Sequence, residues 1–242
     1  MDQMTVSNVA KSSCEILEIA TLVAYFTFDT GLTLIDSGAN ALQAVTSATT
    51  LLANGRISQA ITFNGSASSY FQASGFTALG INNRPFSISL WIRPVSLSGV
   101  IVHVSANATG GDGGWCLPFL SFATNGSLVA QISNNNGTIS ISTPASSVGI
   151  SVWSHVVQTW SPTNGLRLFV NNILVASRLS LATTYVASST KNFVTLGNSL
   201  NGINTCNSSQ VGLLTPFAGD MDDFRVYSRE LSTNDICRLF TK

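Results

Sequence analysis

The sequence predicts an all-β protein, a two-sheet antiparallel sandwich of the jelly-roll type with one short C-terminal helix. Charged residues make up only 9% of the chain, while Gly, Ser, Thr, Asn and β-branched residues are frequent, which favours short strands joined by tight turns. Apolar residues recur with a period of two in many short segments. Connectors such as NNNG and SPTNG separate these segments and supply the positive φ angles that hairpins need.

The N-terminal region combines a polar stretch with an apolar one. Residues 1–20 are polar and aperiodic, and we expect them to form a tail held at Cys14, followed by one domain over residues 21–242. The apolar segment ILEIATLVAYF, residues 16–26, is interrupted by Glu18 and is shorter than the ~20 residues that cross a bilayer. We therefore predict that it forms the first strand and does not insert into a membrane.

Alternating strands fill most of the remaining chain. In FSISLWIRP, residues 86–94, Phe86, Ile88 and Leu90 share one face, which is typical of a half-buried strand. Nine further segments show the same pattern: 99–105, 117–122, 127–133, 137–143, 152–160, 166–171, 173–179, 193–197 and 221–227. Short connectors make successive strands antiparallel neighbours. So many strands need two packed sheets, because a single sheet would leave an apolar face in water.

The segment LSTNDICRLF, residues 231–240, breaks the alternation and predicts a short helix. Ser232 can cap its first turn, and Asp235 stands three positions later, as in a capping box. The helix would close the chain after the last strand.

The charge balance excludes some partners. Eleven basic and eleven acidic side chains cancel, and Lys and Arg are nowhere clustered, so the sequence has no electrostatic footprint for nucleic acid or an anionic membrane. A surface so poor in charge would also meet little repulsion if copies of the chain associated. A structural subunit that self-assembles into an oligomer or filament is therefore one alternative function.

The cysteines and the asparagines point to a secreted protein. Four cysteines lack the spacing of metal ligands, so disulfides are the better interpretation. Five N-glycosylation motifs occur, and the one at Asn64 falls in a predicted tight turn. The predicted glycosylation sites are the other four: Asn107, Asn125, Asn136 and Asn207. We expect an extracellular location.

Several phrases, in order, resemble the laminin G-like family, a branch of the concanavalin A-like lectin/glucanase jelly rolls. They are LVAYFTFDT, AITFNGSASSYFQ, FSISLWIRP, WSHVVQTWSPTNGLRLFVNNILVAS, TLGNS and FAGDMDDFRVYSRELSTNDI. The resemblance covers about residues 22–240. It implies a twisted sandwich of two antiparallel sheets that binds carbohydrate or protein and often carries a structural calcium.

In such a sandwich the first and last strands are neighbours, which favours one of the three possible cysteine pairings. Cys14, just before the domain, can meet Cys237 on the terminal helix. Cys116 and Cys206 would then join two loops. The first bridge would hold the two ends of the domain together.

The segment GDMDDFRVY places carboxylates inside an apolar strand. Alternation puts Asp222 on the face of Phe224 and Val226, where a lone carboxylate needs a cation, several backbone N–H donors or a raised pKa. Asp29, at the end of the first core strand, is the other acid that this fold brings to the same edge. We therefore predict a structural calcium held by Asp29, Asp222 and the Gly65 carbonyl.

Two alternatives to calcium remain open for these aspartates. Asp222 or Asp223 could pair with Arg225 or Arg56. Asp222 could instead accept backbone hydrogen bonds. The three arrangements differ in whether an ion, a side chain or the main chain neutralises the carboxylate.

The loop NATGGDGGW, residues 107–115, is the predicted sugar contact. Trp115 offers an aromatic platform and Asp112 an acceptor for sugar hydroxyls. The alternative is a Gly-rich connector in which Trp115 is half-buried. Trp91, Trp153 and Trp160 are predicted to lie in the core.

No catalytic motif is evident in the sequence. Glycoside hydrolases of related fold use paired carboxylates on one strand, and Glu15, Glu18 and Glu230 do not have that spacing. His103 and His155 lie in apolar alternating strands, where a structural histidine is expected. The predicted function is a non-catalytic extracellular recognition or adhesion module that binds a glycan or an extracellular protein, and a glycoside hydrolase is the remaining alternative class.

Overall fold

The computed structural model describes residues 10–111, 114–179, 184–206 and 210–241, without the side chains of Cys14 and Asn204. Helix α1 spans Ser13–Thr21 and helix α2 spans Thr233–Thr241. The strands are β1 (Leu22–Phe26), β2 (Gln43–Ser47), β3 (Thr49–Leu52), β4 (Ala60–Asn64), β5 (Tyr70–Phe76), β6 (Phe86–Pro94), β7 (Val100–Ser105), β8 (Cys116–Phe122), β9 (Leu128–Asn134), β10 (Gly137–Ser142), β11 (Ser154–Ser161), β12 (Gly165–Val170), β13 (Ile173–Arg178), β14 (Asn192–Leu196) and β15 (Ala218–Tyr227).

These strands form two antiparallel sheets, which confirms the predicted sandwich. Sheet A has eight strands in the order β13-β12-β11-β6-β15-β4-β3, and β1 pairs with the second half of β15. Sheet B has seven strands in the order β10-β9-β8-β7-β14-β5-β2. The first and last strands are therefore neighbours, because Tyr25 of β1 lies opposite Arg225 of β15.

The main hydrophobic core lies between the two sheets. It receives the alternate apolar residues of each strand, so the period of two in the sequence becomes one buried face per strand. Its largest fully buried side chains include Phe26, Phe28, Phe63, Phe71, Phe86, Phe119, Trp160 and Tyr185. Full burial of each such side chain stabilises the fold by about 1.5–3 kcal/mol.

The first helix corrects the prediction for the N-terminal region. Residues 16–21 belong to α1 and not to a strand or an aperiodic tail, and β1 begins only at Leu22. Ser12 accepts from the backbone N–H of Glu15 at 3.3 Å, and the Glu15 carboxylate accepts from the backbone N–H of Ser12 at 2.8 Å. This capping box satisfies the free N–H groups that would otherwise weaken a short helix.

The C-terminal helix agrees with its prediction. The Ser232 hydroxyl accepts from the Asp235 N–H at 3.2 Å, and the Asp235 carboxylate accepts from the Ser232 N–H at 2.8 Å. Ile236 and Leu239 are buried in a second apolar cluster on the outer face of sheet A, which includes Val157, Phe169 and Tyr227. Helix α2 therefore covers part of that face.

Strand β15 departs from simple alternation at Asp223. Its pairing with β6 shifts between Asp222 and Arg225, and Asp223 has a φ of 57°, as in a β-bulge. Because of this extra residue, Asp222 lies opposite Trp91 on the outer face, whereas Phe224 points into the core. The prediction that Asp222 shares a face with Phe224 and Val226 is wrong for this reason.

The structure contains one of the two expected disulfides. Cys116 and Cys206 are bonded, with their Cα atoms 5.4 Å apart. Cys237 is a free cysteine on the exposed side of α2, so the predicted Cys14–Cys237 bridge does not form. The buried positions of this helix are Ile236 and Leu239, which turns the intervening Cys237 towards solvent.

Within the described ranges, neither α1 nor any other helix has the length and apolar character that a membrane crossing requires.

Candidate functional site

The outer face of sheet A divides into two halves. We call the part around Trp91 and His155, over which Phe240 of the C-terminal helix packs, the covered half; it includes the neighbouring Asp222 and Arg225 of β15. The open half contains Thr62, Arg93, Asp220 and Trp153, which lie beyond the helix. Both halves are built largely from β6 and β15, so their difference comes from what packs over them.

In the open half, three neighbouring strands bring polar groups into one row. Asp220 of β15 lies opposite Arg93 of β6 on one side and Thr62 of β4 on the other. Arg93 Nε lies 2.8 Å from Asp220 Oδ2, and Thr62 Oγ1 donates to Asp220 Oδ1 at 2.5 Å. The Arg93 side chain is 29% exposed and that of Asp220 is 10% exposed, so water and a ligand can reach the arginine.

Trp153 extends this row with an aromatic ring. The guanidinium carbon of Arg93 lies 5.1 Å from the Trp153 ring centroid, within the range of a cation–π contact. Trp153 is half-buried and precedes β11, so the prediction that it lies in the core is wrong, whereas Trp91 and Trp160 are buried as predicted. The sequence signal that could have found the site is the outward position of Arg93 in β6.

The covered half contains a buried ion pair. The Arg225 guanidinium contacts both carboxylate oxygens of Asp223, at 2.8 and 3.0 Å, and its carbon lies 4.1 Å from the Tyr25 ring centroid. This matches the predicted alternative in which Asp223 pairs with Arg225. Burial is the main cause that raises the pKa of Tyr25 to about 12. A bidentate pair enclosed in this way holds the bulge in place.

His155 and Trp91 complete the covered half. His155 Nε2 lies 2.9 Å from the Ser89 hydroxyl, and burial, followed by the charges of Arg225 and Arg56, lowers the pKa of His155 to about 3. The Trp91 ring is covered by Arg56, at 4.4 Å, and by Phe240 of α2, at 5.6 Å. His155 is therefore a neutral side chain, and Arg56 and Phe240 keep a ligand from reaching the Trp91 ring.

His103 is also buried, but it lies on β7 of sheet B. Its Nε2 is 2.7 Å from the Gly110 carbonyl and 3.8 Å from the Cys206 sulfur of the disulfide. Burial lowers its pKa to about 4. The ring holds the loop around Gly110, which is a structural role.

Two of the three predicted calcium ligands, Asp29 and Asp222, contact the loop of residues 56–59 that precedes β4. Asp222 Oδ2 accepts from the backbone N–H groups of Arg56 and Ile57 at 2.9 and 2.8 Å, and Asp29 Oδ1 accepts from that of Gln59 at 3.1 Å. Burial is the largest cause that raises the pKa of Asp222 to about 7. Its Oδ1 is buried with no hydrogen-bond partner in the described part of the chain, which is the observation that favours a cation at this oxygen.

The third predicted calcium ligand, the Gly65 carbonyl, lies far from Asp29 and Asp222. Gly65 follows the other end of β4 and packs beside Ala218, where a Cβ on Gly65 would lie 3.0 Å from the Ala218 Cβ. Ala218 precedes Asp222 by four residues in an extended strand, or roughly 13 Å. No group of three or more His, Cys, Asp or Glu side chains that could hold a metal occurs in the described ranges. Calcium binding through Asp29 and Asp222 stays a prediction.

The predicted sugar-binding loop has only one described contact residue. Trp115 is half-buried, packs against the main core and meets Phe119 edge to face, with centroids 6.1 Å apart. Asp112 lies outside the described residues. The packing of Trp115 corresponds to the alternative of a half-buried connector residue, because its ring lies on the core side of β8.

The predicted glycosylation sites lie at turns where they are described. Asn125 and Asn136 are exposed, whereas Asn107 is half-buried and accepts from the Thr109 hydroxyl at 3.0 Å. Asn207 lies outside the described residues. Modification at any of the four stays a prediction.

The sequence matches a family model, over residues 64–237, that describes the concanavalin A-like lectin/glucanases superfamily (Laminin_G_3). The chain belongs to this laminin G-like family. The comparison with curated proteins found no significant match. Family membership agrees with the two antiparallel sheets and with the resemblance carried by the sequence phrases.

Solved structures similar to this laminin G-like chain are mostly binding domains. The binding domain of Paraclostridial Mosquitocidal Protein 1 is 18% identical with a TM-score of 0.67, over 91% of this chain and 52% of its own. The botulinum neurotoxin serotype D ligand binding domain, solved with N-acetylneuraminic acid, is 13% identical with a TM-score of 0.67, over 95% and 52%. The chain thus spans about half the length of these two structures.

A third structure matches along nearly its whole length. Domain 4 of AbnA, a GH43 extracellular arabinanase from Geobacillus stearothermophilus, was solved with arabinotriose. It is 16% identical with a TM-score of 0.58, over 90% of this chain and 98% of its own. At these identities the likeness establishes the fold alone.

Proposed function

We propose that this chain is a non-catalytic carbohydrate-binding module that binds a saccharide on the open half of sheet A. The row of Thr62, Asp220, Arg93 and Trp153 is the observation that carries this proposal. It places a hydroxyl, a carboxylate, a guanidinium and an aromatic ring side by side. Their mutual contacts hold these groups in position before a ligand arrives, which lowers the entropy lost on binding.

Each group in the row suits a different part of a sugar. The Trp153 ring can pack against the apolar C–H face of a pyranose or furanose. The guanidinium of Arg93 can donate to ring hydroxyls, and Asp220 can accept from them in charge-assisted hydrogen bonds. A site with a few fixed polar groups around an aromatic surface is typical of small-ligand recognition.

The similar structures support this class of function. Two of them were solved with saccharides, N-acetylneuraminic acid and arabinotriose, and another botulinum neurotoxin binding domain was solved with rat synaptotagmin II. The extracellular location that we propose rests on the Cys116–Cys206 bridge, because disulfides persist in oxidising compartments.

Glycan-array binding of the whole chain tests the proposal. We expect Trp153→Ala and Asp220→Asn each to weaken binding by about tenfold, because each removes a contact of ~1–3 kcal/mol. Trp115→Ala is the matched control, since it truncates a half-buried tryptophan outside the open half. Binding that survives Trp153→Ala and Asp220→Asn but disappears in Trp115→Ala would overturn the proposed site, and the absence of any glycan ligand would overturn the function.

Self-assembly into a structural subunit is the second candidate function. Exposed apolar side chains favour it: Ile16 and Leu17 on α1, and Ile173 and Leu174 on the edge strand β13. Light scattering over a range of protein concentrations distinguishes the two functions. Growth of particle size with concentration, together with an empty glycan array, would support assembly.

Glycoside hydrolysis is not proposed for the open half. Retaining and inverting glycosidases use two carboxyl groups flanking the bond that is cleaved. In the described part of the chain, the row offers a single carboxylate, Asp220, whereas this reaction needs two.

A further inference from the structure

A groove of about 760 Å³ opens where β1, β2, β5 and β14 approach one another, away from the open half of sheet A. Arg84 and Lys191 line it, and no described lining residue is acidic. Gln43, Ser74 and Thr77, which carry amide or hydroxyl groups, also line the groove. The groove therefore combines two cations with neutral polar groups.

Arg84 and Lys191 lie on two segments that hydrogen bonds hold together. Arg84 lies just before β6, in a turn where the side chains of Asn82 and Asn83 accept from the backbone N–H groups of Ala187 and Tyr185 at 2.8 and 3.0 Å. The Asn83 N–H donates to the Tyr185 carbonyl at 3.0 Å. The segment that contains Tyr185 and Ala187 leads directly into Lys191.

Close backbone packing strengthens the contact between the two segments. Gly80 lies against Thr190, so that a Cβ at Gly80 would be 1.8 Å from the Thr190 carbonyl oxygen. Only glycine permits this approach. Arg84 and Lys191 are thus attached to backbone whose position is set before a ligand binds, so only their side chains must be ordered on binding.

The charges of Arg84 and Lys191 are also available. Other arginines form ion pairs with carboxylates: Arg93, Arg167, Arg225, Arg229 and Arg238. Neither Arg84 nor Lys191 has such a partner in the ranges that the structure describes, and both side chains are exposed. An anionic ligand would therefore not have to displace a carboxylate of the protein from Arg84 or Lys191.

We propose that this groove binds the acidic group of a saccharide, a carboxylate or a sulfate ester, as a second subsite distinct from the open half. The planar fork of Arg84 can bind either group in a bidentate way, and Lys191 adds a point charge. Gln43, Ser74 and Thr77 can bond the sugar hydroxyls beside the acid. The saccharide part rests on the proposed function, whereas the anion part rests on the two unpaired cations.

Titration calorimetry on the whole chain tests this with paired ligands. The pairs are sialyllactose with lactose, and a heparin hexasaccharide with its desulfated form, so the first pair tests a carboxylate and the second a sulfate. We expect at least one acidic ligand to bind about tenfold more tightly than its neutral partner, and to lose that advantage as salt increases. Inorganic sulfate at the same concentration serves as the simple-anion arm.

Charge-removing variants locate the site. Arg84→Gln and Lys191→Gln should each weaken the acidic ligand about threefold and leave the neutral one unchanged, and the double variant should abolish the roughly tenfold preference. Arg178→Gln is the matched control, because it removes an exposed arginine of β13 that likewise has no ion pair in the described ranges. Circular dichroism verifies that these exposed substitutions leave the fold intact.

The outcomes separate this inference from the proposed function. Equal affinity for acidic and neutral ligands, or an unchanged preference in the double variant, would overturn the acidic subsite even if binding still depends on Trp153. Sulfate that competes as well as the oligosaccharide would overturn the saccharide part. Failure of every glycan to bind would count against the proposed function, and loss of sulfate binding in the double variant would still support an anion site.

Discussion

The covered and open halves of sheet A use the same chemistry for different purposes. Each contains an aspartate of β15 paired with an arginine, Asp223 with Arg225 and Asp220 with Arg93. In the covered pair the arginine is 5% and the aspartate 2% exposed, whereas in the open pair the values are 29% and 10%. The two aspartates stand only a few residues apart on β15, although Arg93 belongs to β6.

This comparison shows that the packing above a charged pair decides its role. A buried pair cannot exchange its partner for water, so it is needed for folding once the charges are enclosed. A partly exposed pair contributes little to stability and can bind a ligand instead. The Tyr25 ring of β1 covers Arg225 at 4.1 Å, and Phe240 of α2 packs over the neighbouring Trp91 and His155.

The largest expected effect is the loss of Arg225. Arg225→Met leaves the Asp223 carboxylate buried without a cation and should lower the free energy of unfolding by about 3–5 kcal/mol. Arg93→Met, the matched change in the open half, should lower it by about 1 kcal/mol or less. Urea denaturation of both variants measures the two values. Equal losses would show that the covered pair is not more enclosed than the open one.

The next effect is a pH dependence that belongs to His155. Because burial lowers the pKa of His155 from 6.5 to about 3, the unfolded chain binds a proton below pH 6.5 that the folded chain does not. Its contribution to stability is therefore complete above pH 6.5 and is lost as the pH falls, at about 1.4 kcal/mol for each pH unit. His103, whose pKa is lowered to about 4, acts in the same direction.

His155→Gln isolates this contribution while keeping a side chain that can bond Ser89. The difference in unfolding free energy between the variant and the unaltered protein should shift in favour of the variant by about 1.4 kcal/mol for each unit from pH 6.5 to pH 4. Carboxylates titrate in both proteins and cancel in the difference. A difference that stays constant with pH would show that water reaches the covered half.

The smallest expected effect concerns calcium. We expect EDTA to lower the melting temperature and added calcium to restore it by about 2–4 °C, which corresponds to ~1 kcal/mol. Asp222→Asn should remove this response, because Asp222 has a buried oxygen without a partner in the described ranges. Asp220→Asn should keep it, because the Asp220 carboxylate already has a cationic partner in Arg93. A melting temperature indifferent to both reagents would exclude the ion.

Local patterns in the sequence were sufficient for much of the fold. The alternation in FSISLWIRP predicted β6 with its observed bounds, and the spacing of Ser232 and Asp235 predicted the start of α2. The same capping pattern at Ser12 and Glu15 marks α1, although the apolar run after it suggested a strand. The strands β2, β3, β4 and β5 were not among the predicted alternating segments, and β2 and β3 contain no fully buried residue that would mark a core face.

The candidate site was harder to predict, because it depends on residues that meet only through pairing between strands. Thr62, Arg93 and Asp220 are far apart in the chain and adjacent across β4, β15 and β6. One extra residue at Asp223 moved Asp222 from the core face to the outer face. Gly65, placed near Asp222 by the expected ligand set, lies at the other end of β4.

The sequence by itself determined the fold class, the paired sheets and the terminal helix, because period-two burial and helix capping act between residues close in the chain. Only the tertiary structure decided which aspartate is enclosed, which arginines are unpaired and where a ligand could bind. Those properties depend on strand register, on a bulge and on the helix that covers half a sheet. They arise from contacts over long sequence separations, which no local pattern records.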